Sequence, residues 1–143
     1  MSAGKIRRKS RHGLTLMELM VTMAVISVLV ASSAPSVLRT VEQARVDYAG
    51  AGLRSIWNAQ RLYWVENRTY AATIAELEAA GLLDDSLDST RFNYSIAAAG
   101  AGTFLAEAQR TGSSRWSGTL SVDELGLVSG TVSGGGDILS PGF

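Results

Sequence analysis

Cysteine is absent from the 143 residues, and histidine occurs once, as His12. A disulfide framework, a thiolate metal site and a cysteine nucleophile are therefore excluded, and a histidine-based metal site or dyad has too few members. Lysine stops at Lys9, so nothing beyond it can form a Schiff base or act as a lysine general base. Charged residues make up 18% of the chain against 46% hydrophobic, a balance that argues against disorder over most of its length. Carboxylates, hydroxyls and arginines remain, in no catalytic constellation. The chain reads as a non-enzyme with no metal and no cofactor.

The formal net charge is zero, but the two signs are segregated. Residues 1–13 hold Lys5, Arg7, Arg8, Lys9 and Arg11 and no acid; from residue 14 onward there are eight basic and thirteen acidic residues. Phosphate binding relies on clustered Lys and Arg, so nucleic acid is not the expected partner of the acidic body. Placed directly before an apolar run, the basic cluster reads as a cytoplasmic flank that orients a membrane segment.

That run, Leu14 to Ala31, is LTLMELMVTMAVISVLVA, with Glu18 its one charge. Extended through small residues to Leu38, it is long enough to cross a bilayer, which needs about 20 residues. Thr15, Thr22 and Ser27 can satisfy their hydroxyls against the preceding helical turn. A carboxylate in such a segment costs about 2.5–3.5 kcal/mol at the bilayer centre and less near its edge, so Glu18 needs a partner or a wet position. A plain anchor is one reading. A secretory signal peptide is another, but its apolar core would be charged and too long, and Pro35 follows the best small-residue cleavage site.

A third reading places the processing site at Gly13–Leu14. Residues RRKSRHGLTLMELMVTMAVISVLVA resemble the N-terminal signal of type IV pilins and of the pseudopilins of type II secretion: a basic leader ending in Gly, a hydrophobic residue, and Glu at the fifth position after the cut. The resemblance implies that a membrane peptidase cleaves after Gly13 and that the new amine of Leu14 is N-methylated. It implies that Glu18 pairs with the N-terminal amine of a neighbouring subunit, acting as a register device. Pro35 falls where many members place a helix-bending proline. The pilin-like fold it implies is α+β, one long N-terminal helix packed on a small antiparallel sheet.

The residues themselves divide the chain in the same way. After the leader 1–13, residues 14–38 form the transmembrane or assembly half of a helix and 39–66 its amphipathic half. Val37, Val41, Ala44, Tyr48, Ala51, Ile56, Ala59 and Tyr63, widened by Leu53, Trp57 and Trp64, recur at three- and four-residue spacing. They predict the buried stripe, with Arg39, Glu42, Arg45, Asp47, Arg54 and Arg61 mostly outside it. The aromatics Tyr48, Trp57, Tyr63 and Trp64 are expected in the core. Pro35 predicts a bend or local unwinding; Gly50 and Gly52 predict a second weak point or a close approach.

Residues 67–90 read as a connection with one short helix, Thr73 capping it and Glu76 reaching back to the Thr73 N–H, with Gly81 as its stop. Asp84, Asp85 and Asp88 match no calcium loop and read as a solvated acidic turn. Over 91–132 the period changes to two: Phe92, Tyr94 and Ile96; Phe104, Ala106 and Ala108; Leu120 and Val122; then 127–132. Turn residues 100–102, 111–114 and 123–126 separate them, which predicts a meander of about four strands. The Gly-rich tail 133–143 is expected to be flexible.

The expected function is a structural filament subunit of a type IV pilus or type II secretion pseudopilus. Its expected partners are itself and other pilin-like subunits, a prepilin peptidase and methyltransferase, an inner-membrane assembly platform, and membrane lipid before assembly. The expected location is the bacterial inner membrane as a single pass, with the head periplasmic or outside, and then the filament. The alternatives are a minor or tip subunit that binds a surface or DNA, or a plain single-pass anchored domain.

Overall fold

Two hydrophobic periods, 3.6 and 2, divide the chain, and the secondary structure follows them. The computed structural model describes residues 15–84, 87 and 90–142. Helix α1 runs Leu16–Asn67 and the short α2 Ile74–Ala79; five strands follow, β1 Phe92–Ala99, β2 Phe104–Arg110, β3 Trp116–Asp123, β4 Val128–Gly134 and β5 Asp137–Leu139. The strands form one antiparallel sheet in the order β1-β2-β3-β4-β5, a meander. By internal packing the chain divides into Met1–Val37 and Leu38–Phe143. The second unit carries the core and the sheet.

In that unit the long helix lies on the sheet, an α+β pilin-like arrangement. Register sets which side chains meet it. Ala106 pairs with Ile96 and Val122, and Ala108 with Tyr94 and Leu120, so one face of β2 and β3 presents Phe104, Ala106, Ala108, Leu120 and Val122, all buried. The helix comes close to the sheet at Gly52, where a Cβ would lie 2.8 Å from the Tyr94 hydroxyl. Gly52 is thus a site of close approach, and the helix continues through it and through Gly50.

The buried stripe of α1 is rotated from the predicted one. Val46, Ala49, Leu53, Ile56 and Ala59 are buried, and so are the polar Glu42 and Gln60. Leu53, Ile56 and Ala59 belong to both stripes. Val37, Val41 and Tyr48 are 57%, 43% and 56% exposed, and Ala44 and Ala51 are exposed with them. Tyr48 is therefore no core aromatic, whereas Trp57 and Tyr63 pack on the core half-buried. The two polar residues that share the buried face have dedicated partners.

Glu42 meets Arg110, the last residue of β2: Arg110 Nε donates to Glu42 Oε1 at 2.5 Å and Arg110 Nη2 to Oε2 at 3.2 Å, with both side chains 1% exposed. Arg45 adds a donor to Oε2 at 2.8 Å. Arg110 also donates to the carbonyls of Arg91 and Thr111, which ties the ends of β1 and β2 to α1. Gln60 pairs both ways with the backbone of Ala71, at 2.9 and 2.8 Å, and holds the segment that leaves α1.

Helix α2 has the predicted cap, with Glu76 N–H donating to Thr73 Oγ1 at 3.2 Å. The reciprocal bond is displaced by one residue: Glu76 Oε2 accepts from Ala72 N–H at 2.7 Å rather than from Thr73. Gly81, at φ 69°, reverses the chain, and Leu82 N–H returns to the Leu77 carbonyl at 3.0 Å. Of the acidic turn, Asp85 and Asp88 lie outside the described residues.

The tail corrects the sequence reading. Residues 133–134 complete β4, and β5 pairs with it through Val132↔Leu139, Ser133↔Ile138 and Gly134↔Asp137, so there are five strands rather than four. Leu139 is buried. Beyond it Gln43 Nε2 donates to the Ser140 carbonyl at 2.8 Å and Gly142 N–H to Asp47 Oδ1 at 2.9 Å. The glycines that suggested flexibility make the tight β4–β5 turn, with Gly135 and Gly136 at φ 59° and 90°.

Burial alone raises the Glu42 pKa, but the hydrogen bonds from Arg110 and Arg45 and the charges of both more than offset it, so the carboxyl titrates below its ordinary value. A depressed folded value means that the pair's contribution is complete above the unfolded pKa, about 4.3, and is lost as pH falls through the folded value beneath it. Glu42→Ala, which strands a buried guanidinium, is expected to cost about 3–5 kcal/mol, while Glu42→Leu with Arg110→Met should be near neutral. Urea unfolding of the body at pH 7 measures both. Repeated towards pH 3, it should show the parent losing more stability than the double variant.

Candidate functional site

The Met1–Val37 unit is built on a different principle from the body. Leu16, Met17, Leu19, Met20, Val21, Met23, Val25, Ile26, Val28, Leu29 and Val30 are all more than half exposed. Apolar side chains occupy every side of this part of α1. Such a segment has no protein core to serve, and its length and composition suffice to cross a membrane. The internal hydroxyls make no demand on the surroundings: Thr22 Oγ1 donates to the Leu19 carbonyl at 2.8 Å and Ser27 Oγ to that of Met23 at 2.7 Å. Both follow the sequence expectation.

Thr15 does something else. Its Oγ1 accepts the Glu18 N–H at 3.2 Å, and its carbonyl accepts the Leu19 N–H at 3.1 Å, which makes it the N-cap of α1. Glu18 is then the third helical residue, where the positive end of the helix macrodipole favours an anion. The Thr-x-x-Glu spacing is that of a capping box, a signal that residue order already carries. Glu18 thus lies in the first turn of α1, with its N–H held by Thr15 within the same chain.

Of the other residues singled out from the sequence, Gly13, Leu14 and the basic Lys5, Arg7, Arg8, Lys9 and Arg11 lie outside the described residues. Pro35 falls within α1, whose backbone is helical across that position. The structure therefore unites only Thr15 and Glu18 among the N-terminal candidates. Sequence reasoning missed the Glu42–Arg110 anchor. The spacing Glu42, Val46, Ala49, Leu53, Ile56, Gln60 carries it, once polar residues are admitted to a buried face.

Residues 8–34 match the family model for the prokaryotic N-terminal methylation motif. By this motif and its relatives, the chain is similar to pilins and to the pseudopilins of type II secretion. It is 32% identical over 74 residues to the type II secretion system core protein G of Pseudomonas aeruginosa, a match covering 52% of each chain. It is 28% identical over 108 residues to a type IV wide pilus major component of Thermus thermophilus, covering 76% of this chain and 80% of that one. The chain thus spans about half the length of the first relative and most of the second.

The division into units generates a prediction. A variant beginning at Leu38 keeps Glu42, Gln60 and the whole sheet, and should remain soluble with a cooperative thermal transition. The full chain should stay in the membrane pellet after an alkaline carbonate wash. Circular dichroism melting and fractionation check the two halves of the expectation.

Proposed function

We propose that the chain is a structural subunit, cleaved after Gly13, N-methylated at Leu14 and polymerised through its N-terminal helix into a type IV pilus or a type II secretion pseudopilus. The observation that carries the reading is the N-terminal part of α1: apolar on every side, exposed within the chain, and opened by a lone carboxylate inside the methylation motif. Before assembly this surface is covered by lipid, in a single inner-membrane pass with the basic leader on the cytoplasmic side and the body in the periplasm. After assembly it is covered by the same segment of other subunits.

The physical chemistry assigns Glu18 two roles in sequence. In the membrane, its position three residues into α1 places it near the interface and at the favourable end of the helix dipole. In the filament, the amine of Leu14 from a neighbouring subunit neutralises it. Two unmatched charges in apolar surroundings cost several kcal/mol, so a helix slipped along its neighbours is disfavoured, and the pair sets the register. Pro35 bends the helix without unwinding it, since the backbone stays helical across that position. The peptidase and methyltransferase act before assembly, and an inner-membrane platform extracts the subunit.

Intact mass and N-terminal sequencing of protein from native membranes test the reading. A chain starting with N-methylated Leu14 is the expected result; one retaining Met1 or Ser2, or beginning near Pro35, would overturn it. Gly13→Ala should leave the leader attached. Glu18→Ala should be cleaved normally yet form few or no filaments, and normal filaments would remove the register role. Pro35→Ala should leave cleavage intact.

A further inference from the structure

The turn between β3 and β4 is firmly held, yet it exposes two leucines. Asp123 Oδ1 accepts the backbone N–H groups of Leu125 and Leu127 at 3.0 and 3.3 Å, and Gly126 N–H closes on the Asp123 carbonyl at 3.0 Å. Trp57 Nε1 donates to the Glu124 carbonyl at 3.0 Å. Gly126, at φ 80°, sits so close to the indole that a Cβ would lie 2.7 Å from Trp57 Cε2. Leu125 and Leu127 are nevertheless 79% and 67% exposed. Leucines on a mobile loop would mean little. Leucines on a pinned turn form a fixed apolar surface, and fixing a surface beforehand lowers the cost of binding to it.

The last turns of α1 carry a second surface. Asn58, Arg61, Leu62 and Val65 line an open groove of about 370 Å³, and Leu62 and Val65 are 55% and 64% exposed. Arg61 stacks over the Trp57 ring, 4.8 Å from its centroid, and forms no ion pair among the described residues. The Glu124 carboxylate forms none there either. One surface is apolar with an unanswered carboxylate, and the other is apolar with an unanswered guanidinium.

We propose that these surfaces are the two halves of one contact between copies of this chain: the Leu125–Leu127 turn of one copy seats in the Asn58–Val65 groove of another, with Glu124 facing Arg61. Trp57 holds the turn against α1, and both surfaces stay open within one copy, so the pairing is between molecules. A lipid surface fits less well, because Asp123 and Glu124 flank the leucines and anionic headgroups repel them. In this contact the pairing is one-way: the turn of one copy sits in the groove of a second, whose own turn engages a third, so the contact is heterologous and propagates instead of closing into a pair. This goes beyond the N-terminal helix contact of the proposed function, on which it rests only for filament growth.

The absence of cysteine makes the test direct. Leu62→Cys and Leu125→Cys are placed in separately tagged full-length copies, co-expressed, and oxidised mildly in intact cells in which filaments are also imaged. A disulfide dimer of the 62–125 pair is expected, with little product from either variant alone, and a chain carrying both substitutions should give a ladder of covalent multimers. Arg61→Glu should lower the 62–125 yield by about fivefold, and adding Glu124→Arg should restore it. Filaments without the 62–125 product would overturn the contact and leave the proposed function standing; the product without filaments would do the reverse. Loss of both would overturn both. A Leu125→Cys variant that cross-links to itself as well as to the Leu62→Cys variant would overturn the heterologous geometry.

Discussion

The buried ion pair between Glu42 and Arg110 fixes which side of the helix faces the sheet. Two charges removed from water are tolerated only when each is answered, and here the carboxylate takes three donors from two arginines while Arg110 also bonds two backbone carbonyls. A rotation of α1 by one position would put Val41 in the place of Glu42 and Tyr48 in that of Ala49, and leave the guanidinium without its partner. Apolar burial is roughly additive and would accept several rotations. The ion pair accepts one. It therefore acts as a specificity device more than as a source of stability.

The same helix carries two kinds of surface. Up to residue 31 its side chains are apolar on all sides and exposed; from Glu42 onward one face is sequestered and the other is polar or mixed. No single apolar stripe describes both parts, and one fitted across the whole length drifts off the true buried face. That is how Val37, Val41 and Tyr48 entered the predicted core. Val41 and Tyr48 leave apolar surface exposed on the body.

Function, in this reading, is distributed over surfaces rather than concentrated in a pocket. In the proposed filament, the N-terminal segment supplies the long-range contact and Glu18 its register. The body adds rigid surface features, such as the Trp57-pinned turn, whose leucines contribute nothing to the core of their own chain. Secondary structure that is held tightly and yet leaves large apolar side chains in solvent is the form that an assembling subunit takes.

Local chemistry made much of this legible from residue order alone. The methylation motif, the apolar run, the capping of α2 by Thr73 and the three turns of the meander depend on neighbours within a few positions, and each appeared where its residues indicated. Thr15 as the cap of α1 was equally local, but a lone carboxylate in an apolar run points first to a distant partner, and that obscured the near one. What needed the folded chain was every decision that joins residues far apart. The partner of Glu42 lies 68 positions away, that of Asp47 95, and that of Trp57 67. The Gly-rich tail became a strand because β4 had an open edge and Leu139 a place in the core, and neither condition is written in the tail itself. Periodicity reports that a face is apolar; only the opposing surface decides which face is buried.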